Sequence, residues 1–127
     1  MGFPSELKYT KDHEWLMIEE GNEATVGITD YALDQLGDVV HLELPEVGDA
    51  FDAGSTFGTI ESTKTVSDLY MPVSGKIIAV NKDLIDSLDT LTDNPFEDGW
   101  LVKIAFDEED GDLLDASSYE AFIKEDE

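Results

Sequence analysis

Cysteine is absent from the 127 residues, so the chain has no disulfide framework, no thiolate nucleophile and no zinc knuckle. Any redox chemistry must therefore come from an attached group. Arginine is absent as well: all seven basic residues are lysine, set against 31 Asp and Glu, for a formal net charge of −24. So negative a surface repels phosphate backbones and anionic headgroups, which excludes nucleic-acid binding and argues against acidic membranes. No apolar run approaches the ~18 residues of a transmembrane helix. Met1–Glu6 lacks the basic and apolar regions of a signal peptide, and lacks the Ser or Thr that myristoylation needs at the sixth position. The expectation is a cytoplasmic protein with no nucleic-acid and no membrane partner.

What is present points to a folded chain. A hydrophobic fraction of 41%, with six Phe, four Tyr and two Trp, excludes disorder despite the charge. At this length residues 1–127 fit a single domain, and folding buries roughly two thirds of the unfolded surface. The acidity then forms a shell on that domain. It fits adaptation to a salt-rich cytosol, where screening relieves self-repulsion, and steering toward basic partners stays open beside it.

Short extended segments separated by turn residues predict a mainly β protein, an antiparallel sandwich or barrel. Glu14 to Ile18 and Ala24 to Ile28 flank a hairpin turn containing Gly21. Val39 to Leu44 stops at Pro45, and Phe51 to Glu61, Val66 to Tyr70, Lys76 to Val80 and Leu101 to Phe106 supply further strands. Two helices are expected. A short internal one carries Ala32, Leu33 and Leu36, capped by Thr29 or Asp30 and closed by Gly37. A C-terminal one opens on the capping box Ser117-Ser118-Tyr119-Glu120 and packs Tyr119, Phe122 and Ile123 as core, ahead of fraying over Lys124 to Glu127. Pro45-x-x-Gly48 and Pro72-x-x-Gly75 hint at two similar strand-turn halves.

Independent catalytic machinery is not visible. His13 and His41, the two histidines, are far apart and have no Cys partners, so surface or interface roles outweigh metal ligation. Asp107 to Asp112 imitates a calcium loop, but Gly111 at the sixth position would put Phe106 first, and a solvated turn is the better reading. Phosphate-binding and nucleophile-elbow signatures are missing. Lys64 stands apart. In Glu61-Ser62-Thr63-Lys64-Thr65-Val66-Ser67-Asp68, followed by Pro72-x-x-Gly75, it occupies a predicted hairpin tip, where strand alternation fixes which face the amine takes. A single amine held this way suits attachment of a cofactor by a ligase.

The chain resembles the glycine cleavage system H-protein family of lipoyl carriers along nearly its whole length. The likeness is carried by Tyr9-Thr10-Lys11-Asp12-His13-Glu14-Trp15-Leu16, Val26-Gly27-Ile28-Thr29-Asp30-Tyr31-Ala32, Leu36-Gly37-Asp38-Val39-Val40, Leu44-Pro45-Glu46-Val47-Gly48-Asp49, Phe57-Gly58-Thr59-Ile60-Glu61-Ser62 and Gly99-Trp100-Leu101. Biotinyl domains usually place Met on both sides of the target lysine, where this chain has Thr63 and Thr65. Lipoyl domains of 2-oxoacid dehydrogenases are not expected to carry the His13-Glu14-Trp15 or Gly99-Trp100 segments.

The resemblance implies a lipoyl/biotinyl-type antiparallel β sandwich or flattened barrel, with lipoate joined covalently to Lys64 as N6-lipoyllysine. It implies a non-catalytic carrier that shuttles the aminomethyl group of glycine from a pyridoxal-phosphate glycine decarboxylase (P protein) to a tetrahydrofolate-dependent aminomethyltransferase (T protein). Dihydrolipoyl dehydrogenase (L protein) would reoxidise the arm, and a lipoate ligase or lipoyl/octanoyl transferase would load Lys64. Glu14 and Asp68, with Asp12 behind them, are the candidates for pairing with the basic amine of the loaded arm in a cleft beside the hairpin. A relay role, donating lipoyl groups to other proteins, and an unmodified protein-binding module are the alternatives.

Overall fold

The computed structural model of the protein describes residues 7–19, 22–93, 99–106 and 113–126. Along them run strands β1 (Lys8–Tyr9), β2 (Glu14–Glu19) and β3 (Glu23–Ile28), helix α1 (Asp30–Leu36), and strands β4 (Val39–Glu43), β5 (Ala50–Phe51), β6 (Thr56–Ser62), β7 (Val66–Tyr70) and β8 (Gly75–Val80). Helices α2 (Asp83–Asp86) and α3 (Leu88–Asp93), strand β9 (Val102–Phe106) and helix α4 (Ala116–Asp126) follow. Every pairing is antiparallel. One sheet has the order β1-β2-β3-β9-β8-β5 and the other the order β4-β6-β7, the expected mainly β sandwich with a short internal helix and a C-terminal helix.

Strand alternation builds two apolar clusters. Leu16, Val26, Ile77, Val102 and Ile104 of the larger sheet meet Leu42, Ile60 and Leu69 of the smaller one, and Leu33 and Leu36 of α1 join them. Adjacent residues of a strand point to opposite faces. Trp15, next to Leu16, therefore enters a second cluster with Leu7, Tyr9, Tyr119 and Ile123, and so β2 serves both. The stacked rings of Tyr9 and Tyr119, 4.9 Å apart, fasten α4 to β1.

Local signals read well at α1. Thr29 is its N-cap, accepting from Ala32 N–H at 3.4 Å, and Gly37 ends it at φ +83°. Three expectations need correction. The segment Phe51 to Glu61 is not one strand: a turn through Gly54 (φ +85°) divides it, so that β5 pairs with β8 in one sheet and β6 with β4 and β7 in the other. Helix α4 is capped by Asp115, whose Oδ1 accepts from Ser118 N–H at 2.7 Å, because the helix starts one residue before Ser117. Helices α2 and α3 occupy a stretch for which no element was expected; they are too short to display a periodic stripe, and Leu84 and Leu91 join the main core. Gly48 of the first Pro-x-x-Gly turn donates its N–H to Ile77 O of β8 at 2.8 Å, in the strand that begins at the end of the second. The turn at Gly21, the acidic run Asp107 to Asp112, the first residues Met1–Glu6 and the terminal Glu127 lie outside the described residues.

Candidate functional site

The β6–β7 hairpin turns on two residues, Thr63 and Lys64. Ser62 N–H donates to Thr65 O at 2.8 Å to close the loop. The buried Ser62 hydroxyl then accepts from Lys64 N–H at 3.2 Å and from Thr65 N–H at 3.1 Å, so these two donors are satisfied from within the hairpin. Thr63 N–H donates to Asp38 O at 3.0 Å, bracing the tip against the segment that leaves α1. Lys64 itself is exposed, and its stem crosses Gly37: a Cβ there would lie 3.5 Å from Lys64 Cε and 3.7 Å from Nζ. The α1 end thus forms a side-chain-free seat beneath the amine.

From that tip a cleft of about 300 Å3 runs along β7, walled by Thr65, Ser67, Asp68 and Leu69 on one side. Tyr31, Gln35 and Leu36 of α1 form the other side, with Asp12 and His13 of the β1–β2 turn. Asp12 and Asp68 are exposed on its walls. Glu14 does not line it. With 1% of its surface exposed, Glu14 accepts from Tyr70 N–H through Oε2 at 2.7 Å, and no hydrogen-bond partner reaches Oε1 among the described residues. Burial pushes its carboxyl well above the usual carboxylate range; the Tyr70 bond opposes this and the nearby Asp12 charge adds to it. The structure thus brings Asp12 and Asp68 to the cleft beside Lys64 and sets Glu14 in the adjoining interior.

Several residues at this site had no local signature. His13, at φ +69°, is half-buried, and its ring packs among Tyr31, Tyr119 and Phe122. Its Nδ1 lies 2.8 Å from Tyr119 Oη, a partner 106 positions away that no sequence spacing could indicate. Asp30 holds a second buried carboxylate oxygen, Oδ1, without a hydrogen-bond partner among the described residues, and burial raises its carboxyl too. Among the described residues, no group of three His, Asp or Glu is arranged to hold a metal ion. No helix among them is long and apolar enough to cross a membrane. A wider hollow of about 480 Å3, against Leu42, Phe57 and Ile85, contains none of the candidate residues.

Comparison with known proteins gives a consistent picture. The family described as Glycine cleavage H-protein matches residues 7–126. The glycine cleavage system H protein of Staphylococcus haemolyticus is 50% identical over 98% of this chain and 100% of its own length. That of Streptomyces coelicolor is 52% identical over 96% of this chain and 98% of its own length. The crystal structure of a glycine cleavage system H protein from Mycobacterium marinum superposes with a TM-score of 0.90 at 42% identity, covering 96% of this chain and 99% of that one.

Proposed function

The chain belongs to the glycine cleavage H-protein family, and from that premise we propose that Lys64 carries a lipoyl group in amide linkage and serves as the arm of the glycine cleavage system. The observation that supports this reading most directly is the placement of Lys64: an exposed residue on a braced hairpin tip, next in the chain to Thr65, which lines a cleft of about 300 Å3. Acylation would convert the ammonium to a neutral amide and extend the side chain far enough to fold back or swing out. When attached, the dithiolane supplies a disulfide that is opened reductively as the aminomethyl group of glycine is taken up, and is restored by oxidation afterwards.

The chain's own residues present, position and shelter. Ser62 and Asp38 fix the tip, so a ligase meets the amine in one orientation. The cleft removes the folded-back arm from bulk water. Asp68 and Asp12 on the cleft walls, with Glu14 adjoining, favour a cationic load there. Bond-making falls to the partners this role implies: glycine decarboxylase, aminomethyltransferase, dihydrolipoyl dehydrogenase and the ligase or transferase that loads Lys64. Tethering helps because a local search replaces diffusion of a reactive cargo between them. In this reading residues 1–127 work as one carrier domain in the cytoplasm.

Lys64→Arg tests the assignment. The variant should fold normally, since an exposed tip side chain buries little, and should accept no lipoyl group from a lipoate ligase. Intact and peptide mass spectrometry reads the result, and acylation of the variant, or of Lys76 in the wild type, would overturn the assignment.

A further inference from the structure

The side chain of Lys64 lies down on the protein. Its Cδ, Cε and Nζ are 3.9, 3.5 and 3.7 Å from the point where a Cβ on Gly37 would stand, so the stem runs along the backbone that ends α1. Gly37 lacks a side chain for a reason of its own: at φ +83° it stops the helix, donating its N–H to Leu33 O at 3.0 Å. That explains the room and not the lysine lying in it. Holding a long side chain in one place costs rotamer entropy that some attraction must offset. A carboxylate does not supply it, since Lys64 makes no ion pair among the described residues, in a chain with 31 Asp and Glu.

The ammonium meets the negative end of a helix instead. The carbonyls of Asp34, Gln35 and Leu36 receive no backbone donor among the described residues, which leaves their partial charge at the end of α1. Two exposed carboxylates add to it, Asp34 within the last turn and Asp38 just beyond, and α1 has no basic residue in that turn. Such an end is stabilised by a cation, and here another element brings one. Thr63 N–H, donating to Asp38 O at 3.0 Å, ties the β6–β7 tip to this segment and so sets how near Lys64 stands to it.

We propose that the free Lys64 ammonium is the C-terminal cation of α1, seated on Gly37, and that acylation releases both the stem and the last turn of α1. In acylation the amine attacks an activated carboxylic acid and a C–N bond forms. The activating group leaves with its electron pair, and the nitrogen sheds two protons to solvent and the leaving group. The stem keeps its length and one N–H, but its charge is gone. Gln35 and Leu36 of the last turn line the cleft, so the wall beside the arm loosens once an arm is attached. Gly37 is thereby a positioning residue for the unmodified amine. The consequence for the arm rests on the proposed function; the seating of the free amine does not.

The test compares, by NMR, the full chain with a free Lys64 amine and the same chain carrying N6-acetyllysine at position 64, introduced by genetic encoding. The second chain has the neutral amide without any ligase. With the free amine at about 0.01 M salt, a nuclear Overhauser contact should join the Lys64 ε-protons to the Gly37 α-protons. In the acetylated chain the seated-to-free ratio read from that contact should fall about two- to fivefold, the worth of a cation at a helix C-terminus. Raising salt to about 1 M should lower it in the free-amine chain alone. Nitrogen relaxation at Gly37 N–H should show more motion in the acetylated chain, and Lys64→Arg, which keeps the charge, should keep both the contact and the wild-type relaxation. No contact in the free-amine chain, or equal contacts in the two chains, would overturn the seating. A released stem with unchanged relaxation at Gly37 would overturn the effect on α1. Failure of Lys64 to accept lipoate would instead refute the proposed function, and the acetyllysine comparison would still decide the seating.

Discussion

Glu14 shows how a single carboxylate can set function against stability. Its folded-state proton affinity is raised by burial, so the folded chain binds that proton more tightly than the unfolded chain. The sign follows: stability falls as pH rises from the ordinary value of 4.5 toward the raised folded one, and the penalty persists at neutral pH. Glu14→Gln keeps an oxygen for Tyr70 N–H while deleting the charge. Thermal melts should show the variant a few degrees more stable than wild type at neutral pH and no more stable in acid. A wild type as stable as Glu14→Gln at neutral pH would mean that the buried charge is compensated. Asp68→Asn on the cleft wall should hasten loss of ammonia from the loaded protein by about two- to fivefold if it supplies an exposed-pair energy of up to about 1 kcal/mol, and Glu14→Gln, in the adjoining interior, should hasten it in the same direction. Lipoylation should be unchanged in both, and release rates equal to wild type at matched salt would show that the arm is protected by other means.

At the scale of elements, the β2–β3 pair depends on one missing side chain. Trp15 and Gly27 face each other across the pair, and a Cβ on Gly27 would come within 2.3 Å of the Trp15 ring. That ring is 1% exposed and packed in the cluster that anchors α4, so it has no free path aside. Gly27→Ala should therefore destabilise the protein by about 1–3 kcal/mol, an overpacking cost. Urea titration followed by tryptophan fluorescence measures it, and a midpoint within error of wild type would show that the ring can move. The hairpin that bears Lys64 is built on the opposite principle: Ser62 satisfies the Lys64 and Thr65 donors within the loop, and the segment after α1 contributes the Asp38 carbonyl and the bare Gly37 rather than a packed side chain. This leaves the amine available to large partners while the tip stays fixed.

The whole molecule carries its charge with little internal relief. Seven lysines balance only seven of the 31 carboxylate charges, and contacts such as His41 with Glu43 at 3.7 Å are exposed and of small worth. Screening lengths fall from about 30 Å at 0.01 M salt to about 3 Å at 1 M, so repulsion across the surface is strong in dilute buffer and short-ranged in brine. The melting midpoint should rise continuously with sodium chloride over that range. A flat or falling midpoint would show that the acidic shell does not limit stability and would remove the argument for salt adaptation. A strongly negative net charge also favours partners with basic docking faces, which would make their association rates fall with salt.

Much of the architecture was legible along the chain because it depends on near neighbours. The alternation through Val102, Ile104 and Phe106, the stop at Gly37, a cap at Thr29 or Asp30 and the tight hairpin at Lys64 are set by backbone preferences within a few positions, and the structure selects Thr29. Family likeness then gave those local signals a function. The break between β5 and β6 was harder to see, since Phe51 to Glu61 is extended on both sides of Gly54 and only sheet pairing separates the halves. Burial of Glu14, the cleft between β7 and α1, and the contact of His13 with Tyr119 were decided by the tertiary structure alone. Desolvation and hydrogen-bond direction depend on what surrounds a group in space, and residues 106 positions apart leave no periodic trace of meeting. The sequence by itself therefore singled out Lys64 as the amine to propose, because that signal is local, and the packing decided its surroundings, because those are set by residues far away along the chain.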